Sequence, residues 1–252
     1  MKKRSTTLLA LLVAQASLFV GSAVAQDDDF GIWTEVNVEK KVSKRLTIDG
    51  GLELRTRDNG FGEVDRWSLG VGASYKLTDW LKASLSYSLL DNNNHVVNNS
   101  GKKYADYWGL RHRVSLSLAA SQQFGLFTAS LRERWQYTYR PEKTVDRYSN
   151  IDNDDYDYGE WVDEHTYSGK ATNKWRNRFQ LRYRASKQWR PFISAESIVG
   201  GSGLDKMRYM LGTELRLNKK HSFDLYYMYQ HIYKDDDEGN CHALGVSYTF
   251  KL

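Results

Sequence analysis

The sequence predicts an all-β protein, a transmembrane antiparallel up-and-down β-barrel of ten to twelve strands. Three observations carry this. The last nine residues are apolar at every second position, Leu244, Val246, Tyr248, Phe250 and Leu252, which is the period of a strand with one apolar face. About ten further segments repeat the alternation. The connections between them alternate between short and long, as the periplasmic turns and outside loops of outer-membrane barrels do.

Residues 1–25 read as a signal peptide, with Lys2, Lys3 and Arg4 before an apolar run from Leu8 to Val20 and a small-residue end at Ala23-Val24-Ala25. Residues 26–252 are then the barrel. Strand candidates follow in order: Phe30 to Glu39, Leu46 to Arg57, Arg66 to Leu77, Leu81 to Leu89, Trp108 to Ala120, Leu126 to Tyr139, Lys174 to Ala185, Phe192 to Val199, Lys206 to Leu217, Phe223 to Tyr233 and Cys241 to Leu252. In Leu46 to Arg57, for instance, Leu46, Ile48, Leu52 and Leu54 share one face, while Thr47, Asp49, Glu53 and Arg55 share the other. Long polar connections are expected at Asp58 to Asp65, Asp91 to Asp106, Arg140 to Thr172, Gly200 to Asp205 and Lys234 to Asn240. Eleven strands conflict with the even number usual in bacterial barrels. Either Phe30 to Glu39 starts at the outside end, or a further strand escapes the pattern.

Aromatic residues sort by end. Trp80, Phe124, Phe127, Trp189, Phe223 and Phe250 fall near short turns, and Trp67, Trp108, Trp135, Tyr137, Trp175, Tyr229 and Tyr233 near long connections, as two interfacial girdles require. An exported β-sandwich would alternate without that sorting. Composition narrows the function. The net charge of +5 falls to +2 once the three leader cations are removed, which argues against nucleic acid as a partner. A single cysteine, Cys241, forms no disulfide framework.

If apolar residues face lipid, the alternate residues face the lumen. Arg111, Arg113, Arg132, Arg134, Lys174, Arg176, Arg178, Arg182 and Arg184 then form a basic wall from three consecutive strands. Glu35, Asp49, Glu53, Glu196, Glu214 and Asp224 form an acidic wall, expected largely opposite because the two chain ends meet when a barrel closes. Such walls set up a transverse field that favours anions near the arginines. The same side chains can instead pair and fill a narrow lumen.

The connection from Arg140 to Thr172 is dense in acidic and aromatic groups, including Asp152, Asp155, Asp157, Glu160, Trp161, Asp163 and Glu164, and resembles no calcium loop in spacing. Asp235 to Glu238 is a second acidic run. His112 and Ser115 lie on opposite faces of one strand and form no nucleophile pair. His95, His165 and His231 sit near outside loops with aspartates, the form a rim hydrolase would take. Gly200 to Gly203 reads as a loop, with no helix after it to make a nucleophile elbow. No catalytic residue, metal ligand set or cofactor motif is assigned.

Phe30-Gly-Ile-Trp33, the run from Lys40 to Leu46, the inward Arg178 to Arg184 strand, the stretch from Arg208 to Leu217 and Phe223-Asp-Leu-Tyr-Tyr227 resemble the domain-of-unknown-function family 2490 (DUF2490). That resemblance implies an outer-membrane barrel of Bacteroidetes type over most of the mature chain and carries no activity with it. The expected function is a narrow porin-like channel in the bacterial outer membrane that favours a small anionic solute. The alternative is a closed structural or surface-interaction barrel binding partners or glycans through its acidic aromatic loops. Expected partners are outer-membrane lipid, lipopolysaccharide and, during assembly, the barrel-insertion machinery.

Overall fold

The computed structural model describes residues 29–58, 60, 62–152, 155–233 and 240–252. The leader and the acidic run from Asp235 to Glu238 lie outside these residues. Among the described residues there are thirteen strands: β1 (Asp29–Lys41), β2 (Leu46–Arg57), β3 (Glu63–Lys76), β4 (Leu81–Val97), β5 (Lys103–Phe124), β6 (Phe127–Arg140), β7 (Lys143–Ser149), β8 (Trp161–Tyr167), β9 (Lys170–Tyr183), β10 (Trp189–Gly200), β11 (Gly203–Arg216), β12 (His221–Ile232) and β13 (Cys241–Lys251). Eleven of them close a barrel; β7 and β8 form a hairpin beside its rim.

Neighbouring strands pair antiparallel all round the barrel except at one seam, where β1 and β13 run parallel from Asp29↔Cys241 to Glu39↔Lys251. An odd number of strands alternating in direction must meet in one parallel pair when the sheet closes. That pair settles the parity conflict: β1 starts at the long-connection end and descends alongside β13, so the closed sheet is antiparallel with a single exception. Closure also leaves the barrel wall without a free edge.

The wall is inside out relative to a globular core. Leu211 and Phe179 are 63% and 52% exposed on the outer face, whereas Glu196 is fully buried inside. The conventional apolar core is small, a cluster of Met210, Met228 and Ala243 packed against Trp33 and Tyr226. Gly245 is needed there, because a Cβ at that position would fall inside the Tyr226 ring on the adjacent strand. Trp67, Trp108, Trp135, Tyr137 and Trp175 are exposed toward the long-connection end, and Trp80, Phe124 and Phe127 toward the other.

Four short turns use one device. Ser43, Thr78, Ser186 and Asn218 each accept, through a side-chain oxygen, the backbone N–H three residues on, at Leu46, Leu81, Trp189 and His221. At the fifth, Gly125 takes a positive φ of 60° between β5 and β6.

Three connections differ from expectation. Gly200 to Asp205 is not a long connection but a two-residue turn, because β10 runs to Gly200 and β11 begins at Gly203, the two pairing directly. Asp91 to Asp106 is mostly strand, since β4 runs on to Val97 and β5 begins at Lys103. Apolar alternation marks only the length of wall with an apolar environment to face, whereas strand pairing continues on backbone hydrogen bonds beneath polar residues such as Asn92 to Asn94. Within Arg140 to Thr172, β7 and β8 pair with each other, and β7 joins β5 at Lys103↔Ser149 and Tyr104↔Tyr148. Their charged alternation carries no apolar face to read. Asp163 on β8 anchors the hairpin, accepting from Arg147 Nε and Nη2 at 2.8 and 2.7 Å and from Lys103 Nζ at 2.9 Å.

Candidate functional site: an arginine belt in the lumen

Period-two alternation aims every second residue of each barrel strand inward, and strand register decides which of those residues meet. Arg132 on β6 lies directly opposite Arg178 on β9, and Arg134 opposite Arg176. Like charges facing each other across a strand pair are destabilising. The neighbouring strand β10 supplies the compensation, with Glu196 directly opposite Arg178. Its Oε1 accepts from Arg132 Nη2 at 2.8 Å and Arg178 Nε at 3.2 Å; its Oε2 accepts from Arg176 Nη2 at 2.6 Å and Arg178 Nη2 at 3.3 Å. Arg208 on β11 approaches the same oxygen at 3.8 Å.

A second cluster lies toward the seam. Glu53 on β2 accepts from Arg55 and from Arg66 on β3, each at 2.7 Å. The Arg55 guanidinium stacks 3.5 Å from the centre of the Trp33 ring, with Arg208 5.2 Å from it, so an inward tryptophan sits between two cations. Two arginines are held by neutral oxygens: Arg113 Nε donates to Thr138 Oγ1 at 3.1 Å and Arg134 Nε to Ser117 Oγ at 2.9 Å.

Among the described residues, two cavities are lined by inward side chains of the lumen. One of about 780 Å³ lies toward the long-connection end and is lined by Arg57, Arg111, Arg140, Lys170 and Lys174 among others. One of about 410 Å³ lies deeper, between Glu35 and Asp49 on one side and Arg132, Arg134 and Arg178 on the other. Trp33, Arg55, Arg66, Arg113, Arg176 and Arg208 line both, forming a belt where the two meet.

Of the expected basic wall, Arg113, Arg132, Arg134, Arg176, Arg178 and Arg182 line the deeper cavity, and Arg111 and Lys174 line the outer one. Arg111 donates to Asn94 at 2.8 Å in the outer cavity, Lys174 pairs with Asp205 at 3.2 Å, and Arg182 reaches Glu214 at 3.0 Å. Arg184 is a correction: it follows the end of β9 and is exposed at the short-turn mouth. The acidic wall divides. Glu35, which accepts from Ser247 at 3.3 Å, and Asp49 stand across the lumen within electrostatic reach of Arg134. Glu53 pairs with arginines of its own side. Glu196 and Glu214 are not opposite the arginines but among them, because β10 and β11 follow β9 around the barrel. Glu214 accepts from Arg216, forms an ion pair with Arg182 and directly faces Asp224 across the strand pair.

Sequence reading passed over Arg55, Arg66, Arg208 and Trp33 as site residues. Their strand parity marks them as inward, but only closure of the barrel brings β2, β3 and β11 to the arginines of β5 and β9. At the rim His95 Nδ1 and Asp106 Oδ1 are 2.6 Å apart, with the imidazole stacked on Tyr104.

The translocator domain of the autotransporter NalP from Neisseria meningitidis is similar in structure, with a TM-score of 0.57 and 13% identity over 90% of this chain and 91% of that one. The beta domain of the Bordetella autotransporter BrkA aligns at a TM-score of 0.49 and 14% identity, over 82% of each chain. The first likeness is one of fold, a closed β-barrel. No curated protein matches the sequence. The model of the protein family of unknown function DUF2490 matches residues 30–240, most of the barrel from β1 to the start of β13, and the chain belongs to that family.

Proposed function

We propose that the chain is a bacterial outer-membrane barrel that admits small anionic solutes through a narrow, arginine-lined lumen. The observation that carries this reading is the belt where two lumen cavities meet on arginines from five strands. A solute moving between the cavities passes guanidinium groups at close range, and a water-filled passage with low-dielectric walls concentrates the field of those charges. Location rests on the outer face, where exposed Leu, Val and Phe side chains lie between two aromatic zones, a surface suited to lipid and, at the outer rim, lipopolysaccharide. In this reading residues 1–25 direct export, and the terminal alternation of β13 is what the insertion machinery engages. No catalytic residue is assigned.

Conductance across planar bilayers tests the reading. Refolded protein is expected to pass current with a reversal potential favouring chloride over potassium. Arg178→Ser with Arg182→Ser is expected to reduce that preference. Absence of current, a cation preference in the parent, or an anion preference untouched by the double substitution refutes it.

A further inference from the structure

The belt carries more positive charge than its own carboxylates neutralise. Arg55, Arg66, Arg113, Arg176 and Arg208 line both cavities. The acids bonded to them are Glu53, divided between Arg55 and Arg66, and Glu196, which also serves Arg132 and Arg178. Among the described residues, five cations face these two bonded acids and Asp65, which acts on Arg55 and Arg66 across the outer cavity, so an excess of two remains even before that sharing is counted.

Arg113 is the most exposed to this imbalance. Its strongest charged neighbours are Arg66, Arg176 and Arg55, and only after those three comes Glu53. Its single hydrogen bond among the described residues is the one from Nε to Thr138, so the two terminal nitrogens of its fork have no protein acceptor there. The buried Nε–H groups of Arg66 and Arg176 likewise have no acceptor among the described residues. Buried donors without acceptors are costly, and guanidinium groups converging without an acid are more so. The side chains of Arg66, Arg113 and Arg176 line both cavities, through which a ligand can arrive.

The geometry points to a saturable binding site for one small oxyanion carrying two or more negative charges, held by Arg113, Arg66 and Arg176 where the two cavities meet. Its chemistry is that of a phosphate ester, a pyrophosphate or a polycarboxylate, since the guanidinium fork accepts two oxygens of either group. Chloride lacks the paired oxygens and screens the site without bridging it. The inference deepens the anion-admitting reading and depends on it only for the route of entry.

Binding is measured on the folded barrel in detergent by its thermal unfolding midpoint, titrating inorganic pyrophosphate and, separately, citrate at constant high ionic strength, so that general screening is held fixed. A saturable rise in midpoint is expected with at least one of the two, and none with added chloride. A response to pyrophosphate alone assigns the site to phosphates, and a response to citrate alone assigns it to polycarboxylates. Arg113→Gln is expected to weaken binding by at least about tenfold, the loss of one charge-assisted fork. The same substitution is expected to raise the midpoint of the ligand-free barrel, because it removes a repelled charge; an arginine with a purely structural role would lower it.

The site is refuted if neither anion gives a saturable response, if Arg113→Gln binds as tightly as the parent, or if that variant is less stable without ligand. Chloride current without oxyanion binding overturns the site and leaves the channel standing. Binding without current does the reverse.

Discussion

Glu196→Gln removes one negative charge from a side chain with no solvent exposure while keeping its volume. The carboxylate holds Arg176 at 2.6 Å, Arg132 at 2.8 Å and Arg178 at 3.2 Å. Glutamine offers one acceptor oxygen in place of two and turns an NH2 toward donors that have no use for it. Removing one partner of a buried ion pair costs roughly 3–5 kcal/mol. The flanking arginines keep some contact with the lumen, Arg178 at 26% and Arg132 at 24% side-chain exposure, which argues for the lower half of that range. With a urea dependence of about 3 kcal/mol per molar, the unfolding midpoint is expected to fall by on the order of 1 M. Tryptophan fluorescence of the detergent-folded barrel across a urea series reads this directly. Adding Arg132→Gln to the variant deletes one of the cations left uncompensated and is expected to restore at least about 1 kcal/mol through the coupling of the pair. A midpoint within about 0.3 M of the parent would show that the carboxylate does not neutralise the quartet Arg132, Arg176, Arg178 and Arg208. Strictly additive losses in the double variant would show that Arg132 is not one of the charges it serves.

Two further outcomes follow from the seam and from the rim hairpin. In a Cys241→Ser background, a membrane-impermeant maleimide applied to intact cells is expected to label Asp29→Cys and not Lys44→Cys, because β1 descends parallel to β13 from the long-connection end; the opposite pattern would contradict that orientation of β1. Asp163 on β8 has its carboxyl lowered from the ordinary 3.8 to about 2, first by its hydrogen bonds from Arg147 and then by that from Lys103. A depressed folded value contributes stability that is complete above pH 4 and is lost as pH falls through about 4 toward 2, by a modest amount because the group is part exposed. Pepsin cleavage within β7–β8, normalised to an unstructured peptide, is therefore expected to accelerate across that window. Asp163→Asn should cleave alike at both ends of it, and a parent hairpin indifferent to pH would overturn the assignment.

Much of the wall was legible from local pattern. Leu46–Arg57 is recovered residue for residue, and the inward phase of Arg111, Arg132 and Arg176 follows from counting by twos. The upper ends of β4 and β5 and the β7–β8 hairpin were not legible, because their partners are backbone groups and charged side chains, neither of which leaves an apolar period.

The chain's own alternation thus determined that a barrel forms, which face of each strand is apolar, and that arginines point into the lumen. Tertiary structure alone decided that the strand count is odd with a parallel seam, that Glu196 sits inside the arginine quartet, and that Arg55, Arg66 and Arg208 join Arg113 in one belt. Period two is a property of a single strand, whereas the meeting of charges depends on register and on the curvature that carries β2 and β11 round to β5 and β9.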